Sequence, residues 1–321
     1  MDDRMLHEYR REPDPEFSRN LRERLRRHES SRAFSARGAV RLLAGACAAL
    51  IVVALFAVPS VRVSAQAFLD LFRVRRFAAV EFSQSRMETL KSIEKDRGFL
   101  VFDREETVLD PGPPRPVPSR EAASAQVGFT VSAPSYMPED LAADSVFVAG
   151  EGAMRLSVSE AKLRSLLDRL DLKEVPVPSG LDGQWIEVRK PPVVFQRFTS
   201  KNRRIVLVQA RSPEVSVPAG WNVEQLAEIG LRVLGLDAGE ARRIARATDL
   251  RTTLLVPVPT NASVFRQVTV HGQQGLLITT TTASGDGRLR RVLMWSEGDR
   301  VFCLQGDLSD SSIMQMAESI S

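Results

Sequence analysis

The chain has 321 residues, 43% hydrophobic and 26% charged, which is ordinary for folded protein and long enough for about two domains. Its 44 Lys and Arg against 40 Asp and Glu give a net charge of +4 and a pI near 9.4, but 11 Arg and 8 acidic residues fall within positions 1–41. The long remainder is therefore almost neutral, has no basic field to attract phosphates, and excludes a nucleic-acid partner.

Residues 1–38 read as a short segment with one helix. Asp14-Pro15-Glu16 supplies an N-cap, a first-turn proline and a first-turn acid. The helix carries Phe17, Leu21 and Leu25 at a spacing of four. That stripe is narrow for a core and suits either a solvated Arg-rich helix or an anchor for a docking partner.

Leu42–Val61 is an uncharged run closed by Arg41 and Arg62. At about 1.5 Å per residue it spans about 30 Å, the hydrocarbon thickness of a bilayer. It predicts one transmembrane helix over residues 39–61, with Leu42, Leu50, Ile51, Leu55 and Val58 among its membrane-spanning residues. Arg32, Arg37 and Arg41 before it favour a cytoplasmic N-terminus. Ala65-Gln66-Ala67 resembles a signal-peptidase site, yet the structured helix upstream favours a retained anchor. A bilayer then lies between Cys47 and Cys303, so they do not pair, and no CxxC spacing exists. Cys303, between Phe302 and Leu304, reads as a buried and inert thiol.

Residues 62–106 read as a membrane-proximal helical segment. In AQAFLDLFRVRRF, Phe68 and Phe72 combine with Arg73, Arg75 and Arg76 to predict an amphipathic helix at the membrane interface. A further helix is expected around Met87–Ile93 and a short strand at Phe99–Phe102. Five prolines between Pro111 and Pro118 mark residues 107–126 as a linker.

From residue 127 to 321 the pattern predicts an α+β domain of antiparallel sheets with packed helices. Strands are expected at Gly128–Ser132, Ser145–Ala149, Met154–Val158, Gln184–Arg189, Val193–Thr199, Arg204–Ala210, Val264–Val270, Gly275–Thr282, Leu289–Ser296 and Arg300–Leu304. Helices are expected at Glu160–Leu172, Val223–Leu234, Ala238–Ala247 and Ser311–Ile320, the last capped by Ser309 or Asp310. VPVPS at Val175–Ser179 recurs as VPVPT at Val256–Thr260, which suggests two related halves.

Candidate chemistry is sparse. His271 beside Gly272 reads as a surface turn histidine. No GxSxG, phosphate-binding glycine loop or HExxH occurs. No catalytic residue, metal or cofactor is expected, and the chain does not read as an enzyme. Trp185, Trp221 and Trp295 read as core anchors.

DPEFSRNLRERL, a single span, and then VPSVRVSAQAFLDLFRVRRF resemble bacterial single-pass membrane proteins of the anti-sigma-factor type. The C-terminal RRVLMWSEGDRVFCLQGDLSDSSIMQMAESI resembles the end of an uncharacterised extracytoplasmic domain carried by such proteins. The resemblance implies a regulator in the bacterial cytoplasmic membrane. It would hold a sigma factor or another regulator inside, through Phe17, Leu21 and Leu25, and respond to a ligand or protein outside. The chain departs from the zinc-binding anti-sigma module: residues 1–38 hold His7 and His28 but no cysteine. A second expectation is a membrane-tethered lipid- or ligand-binding module with no sigma-factor role.

Overall fold

The computed structural model describes residues 74–97, 101–138, 140–218, 220–259, 263–281 and 289–321. The elements of the first half are β1 (Arg76–Phe82), α1 (Gln84–Arg97), β2 (Phe102–Leu109), β3 (Arg115–Val117), α2 (Arg120–Val127), β4 (Ala142–Ala149), β5 (Gly152–Val158) and α3 (Glu160–Arg169). Then follow β6 (Trp185–Lys190), β7 (Val193–Thr199), β8 (Arg204–Arg211), β9 (Glu214–Ser216), α4 (Val223–Val233) and α5 (Ala238–Ala247). The chain continues with β10 (Thr253–Pro259), β11 (Ser263–Val270), β12 (Gln273–Thr281), β13 (Leu289–Glu297), β14 (Arg300–Gly306) and α6 (Asp310–Glu318).

The strands form an antiparallel eight-stranded sheet in the order β11-β12-β13-β14-β8-β7-β4-β3 and an antiparallel four-stranded sheet in the order β2-β5-β6-β9. A third sheet is a parallel two-stranded ribbon of β1 and β10. The fold is thus α+β and mostly antiparallel, as the sequence predicts. Among the described residues no helix is long and apolar enough to cross a membrane. The expected span Leu42–Val61 lies outside them, as do Phe17, Leu21, Leu25, Phe68, Phe72 and Arg73.

One face of the large sheet buries Trp295, Phe302, Leu207, Leu293 and Leu304 against Ile313, Met316 and Ala317 of α6. Trp295 and Phe302 stack with ring centroids 5.0 Å apart and planes 9° from parallel, an arrangement that adds to area burial. Farther along the sheet, α2 buries Ala123 and Val127 with Val148 and Val194. The opposite face, at β12 to β14, takes the ribbon: Val74, Phe77, Val256 and Val258 cluster with Leu276 and Ile278. The ribbon's alternate residues Val80, Phe82 and Leu255 join a second core. That core draws Leu163, Leu166 and Leu167 from α3, Leu226 and Leu231 from α4, and Leu156 and Ile186 from the four-stranded sheet.

The helix ends follow local chemistry. Ser159, Asn222, Asp237 and Ser309 each accept a backbone N–H of the first turn through the side chain, satisfying donors the helix leaves open. Gly235, at φ +100°, separates α4 from α5, a conformation for which a residue with Cβ is strained.

Four expectations are corrected. Arg75 and Arg76 do not lie on an amphipathic helix: Arg76 opens β1, opposite Thr253. The strand wins because Phe77 and Ala79 face one apolar layer while Ala78, Val80 and Phe82 face the other, a period of two that no helix can present. Residues 107–126 are not a linker. They complete β2, supply β3 as the edge of the large sheet, and form α2, whose Ser119 cap accepts from Ala122 N at 3.2 Å. Pro116 is tolerated because an edge strand needs hydrogen bonds on one side only.

Gly128–Ser132 forms no strand, and side chains hold its backbone instead. Val131 N donates to Ser124 Oγ at 2.9 Å and Ser132 N to Gln209 Oε1 at 3.0 Å. Gln196 Nε2 and Gln209 Nε2 donate to Ser132 O at 2.6 and 2.7 Å. Finally, the VPVP pair does not mark two like halves. Val256–Pro259 lies in β10 and gains a parallel partner, whereas Val175–Ser179 lies in the connection between α3 and β6.

Replacing Gln209 by Leu strands Ser132 N in a buried site and is expected to cost about 1–3 kcal/mol, read as a lower midpoint in thermal unfolding followed by tryptophan fluorescence. Gly306 is a second test. A Cβ there would meet Arg204 O at 2.7 Å and collide with the Ile205 side chain. Gly306→Ala is expected to lower stability by about 1–3 kcal/mol, whereas Gly112→Ala, with open space around it, bears only the smaller penalty of its positive φ.

Candidate binding site

Two tight turns and the start of the described chain meet at one end of the large sheet. The first is His271-Gly272 between the paired residues Val270 and Gln273. Both turn residues have positive φ, 48° and 72°, as a two-residue hairpin matched to strand twist requires. The second is Gly298-Asp299 between Glu297 and Arg300. The chain arrives beside them at Val74, whose N–H donates to Ser212 Oγ at 2.7 Å. Arg75 N donates to Thr252 O at 2.8 Å, and Ser212 N donates to Asp299 O at 3.0 Å. These bonds fasten the entering strand to the β13–β14 turn and to the loop before β10.

Between them lies a cleft of about 430 Å³ lined by Arg75, Gln273, Ser296, Gly298 and Asp299, within the size range of small-molecule sites. Ser296 is 4% exposed, and its hydroxyl makes no hydrogen bond among the described residues. Asp299 faces Arg211, with Nε 3.4 Å from Oδ2.

His271 is not the simple surface residue its turn position suggests. Its Nδ1 lies 2.7 Å from Glu297 Oε1 and its Nε2 lies 2.7 Å from Glu318 O. Both partners are acceptors, so both ring nitrogens must carry hydrogen, which favours the imidazolium. The hydrogen bond to the Glu318 carbonyl, followed by that to Glu297, holds the His271 pKa above its ordinary value against the opposing effect of burial. Glu297 Oε1 also accepts from Trp295 Nε1 at 2.8 Å, and the His271 backbone N–H donates to the Glu318 carboxylate at 3.2 and 3.3 Å. The network ties the β11–β12 turn to the end of α6 and to the central core residue of β13.

Other predicted residues fall elsewhere. Arg75 lines the cleft, while Arg76 belongs to the ribbon. Burial pushes the Cys303 thiol up to about 12, so its reactive thiolate is scarce at neutral pH. Trp295 is fully buried. Trp185 is half-buried, with the Arg104 guanidinium 5.9 Å from its ring. Among the described residues no group of three or more His, Cys, Asp and Glu could hold a metal.

The sequence shows the His271-Gly272 turn but not the cleft, because Ser296 and Gln273 carry no motif and the pattern around Arg75 reads as an amphipathic helix. No protein family, no curated protein and no solved structure matches the chain.

The network has a pH dependence with a definite sign. A folded-state pKa above the unfolded value adds stability below the unfolded value, near 6.5. That stability is lost as pH rises through the folded value. His271→Gln is expected to cost about 1.5 kcal/mol near pH 5.5, the scale of one charged hydrogen bond. The difference in thermal midpoint should shrink as pH is raised toward about 8.5; a constant difference would mean that the imidazolium adds nothing.

Proposed function

We propose that the chain is a single-pass, membrane-anchored regulatory protein, anti-sigma-factor-like, whose α+β domain lies outside the cytoplasmic membrane and senses a ligand. The observation that carries this reading is the position of the cleft. Arg75, one of its lining residues, is the second described residue after the apolar run Leu42–Val61. A ligand there would touch a residue just ahead of β1 and close in sequence to the predicted span, so binding would bias the tether and through it a cytoplasmic partner on Phe17, Leu21 and Leu25. Differential affinity for two tether arrangements is all that such coupling requires.

The second reading, a tethered ligand-binding module with no sigma-factor partner, uses the same cleft. Lipid is the less suitable ligand for either. The helix-covered sheet face is filled by Trp295, Phe302, Leu207, Ile313 and Met316, and the cleft is lined by polar residues.

The two readings part at the N-terminal helix. The full chain carrying Phe17→Asp and Leu21→Asp, recovered from bacterial membranes, is expected to lose a co-purifying sigma factor or regulator by about tenfold or more. An unchanged set of bound proteins would remove the regulatory reading and leave the binding module.

A further inference from the structure

We infer that the cleft between Arg75, Gln273, Ser296 and the Gly298-Asp299 turn is a site for a small, singly charged carboxylate, with Arg75 as its anchor.

The charge balance of the cleft comes first. Asp299 is already matched by Arg211 at 3.4 Å, and its backbone carbonyl is taken by Ser212 N–H at 3.0 Å. Glu297, the next acid along the strand, is engaged by His271 Nδ1 and Trp295 Nε1 at 2.7 and 2.8 Å. On the cationic side, Arg211 and His271 are each held by these carboxylates. Arg75 is different. Only its backbone N–H is used, by Thr252 O, and among the described residues its guanidinium has neither an ion pair nor a hydrogen bond. Among the described residues the cleft is left with one uncompensated positive charge.

The hydrogen-bonding groups point the same way. Ser296 lines the cleft, and its hydroxyl makes no hydrogen bond among the described residues. The Gln273 side-chain amide is likewise unbonded among the described residues. A guanidinium fork, a hydroxyl and an amide form a donor-rich set. A carboxylate is the natural complement, since its two oxygens match the fork bidentately and keep lone pairs for further donors.

Selection within anions follows from the neighbours. A phosphate would bring a second negative charge beside Asp299 and Glu297, whose own cations are already committed. A cationic ligand would meet the unpaired Arg75 with no free carboxylate to receive it. A monocarboxylate brings the charge that the site lacks and no more.

Rigidity supports recognition. Arg75 is anchored by its backbone to the loop before β10, Ser296 sits inside β13, and the turn is bonded to Ser212. The backbones that carry the donors are therefore held, and binding has to order the Arg75 and Gln273 side chains.

This inference names the ligand of the sensing domain and rests on the reading of the cleft as its binding site. It does not depend on a sigma-factor partner, so the two can fail separately. The test is the ligand-induced shift in thermal midpoint, and the affinity from it, for the purified full chain. Propionate, inorganic phosphate and propylammonium serve as probes at matched ionic strength and millimolar concentration. Propionate is expected to give a saturable rise, and phosphate and propylammonium none beyond an ionic-strength control. Arg75→Ala should weaken propionate by about tenfold or more, Arg75→Lys should restore part of it, and Ser296→Ala should weaken it less than Arg75→Ala.

Arg75 is exposed and its side chain bonds to nothing described, so Arg75→Ala is expected to keep the wild-type midpoint without ligand. Gln273→Ala, also at an exposed position, gives a second variant if it does not. Preference for phosphate or propylammonium would overturn the carboxylate assignment. Propionate binding that ignores Arg75 and Gln273 would overturn the site, and no response to any probe would overturn both. If propionate binds as expected while the Phe17→Asp, Leu21→Asp chain keeps its bound proteins, the carboxylate site stands and the regulatory reading falls.

Discussion

The parallel pairing of β1 with β10 is the constraint on which the rest of the described fold depends. It joins Arg76–Phe82 to Thr253–Pro259 along their whole length, so a segment at the start of the domain is fixed by one far along the chain. Parallel neighbours need a long crossover, and here the four-stranded sheet, five of the helices and part of the large sheet are built within it. Both faces of the ribbon are apolar. Phe77, Val256 and Val258 enter the core against the large sheet, while Val80, Phe82 and Leu255 enter the core against α3 and α4. Removing the ribbon would expose both cores at once, a much larger loss than that of any single buried side chain.

The same ribbon sets the geometry of the candidate site. Because β1 lies against β12 and β13, the residues just before it arrive at the end where the His271-Gly272 and Gly298-Asp299 turns project. Arg75 is thereby carried into the cleft while Arg76 starts the ladder. On the far side of the sheet the His271 network joins the same turns to α6 through Glu297 and Glu318. The cleft and the closing helix are thus linked by one strand end, Trp295 to Asp299, rather than by a chain of loose contacts. Such a short, bonded connection is a physical basis for two elements to respond together, and it needs no long pathway.

Two buried glutamines hold backbone that no strand holds. Gln196 and Gln209, on neighbouring strands of the large sheet, hold the backbone of Ser132. Without them a stretch that forms no strand could not lie buried against a sheet, because its N–H and C=O groups would be lost to water without replacement. Arg300 adds to the clamp from the next strand, donating to Thr130 O at 3.0 Å.

Much of the architecture was legible in local chemistry. Alternation gave Val193–Thr199 and Val264–Val270. Local pattern gave α3, α4 and α5, a capping residue gave the start of α6, and the glycine at His271-Gly272 gave a hairpin turn, because each signal is decided within a few residues. The sequence by itself also determined the near-neutral charge of the long C-terminal part and the uncharged run Leu42–Val61. Only the tertiary structure decided the ribbon, the edge strand at Pro116 and the cleft. A strand buried on both faces shows no alternation, and a proline window reads as a linker until a sheet edge receives it. Donors converge on a cleft only when strands distant in the chain are brought to one end. The reason is the same in each case: these features are fixed by partners many residues away, and a local pattern cannot encode which partner will arrive.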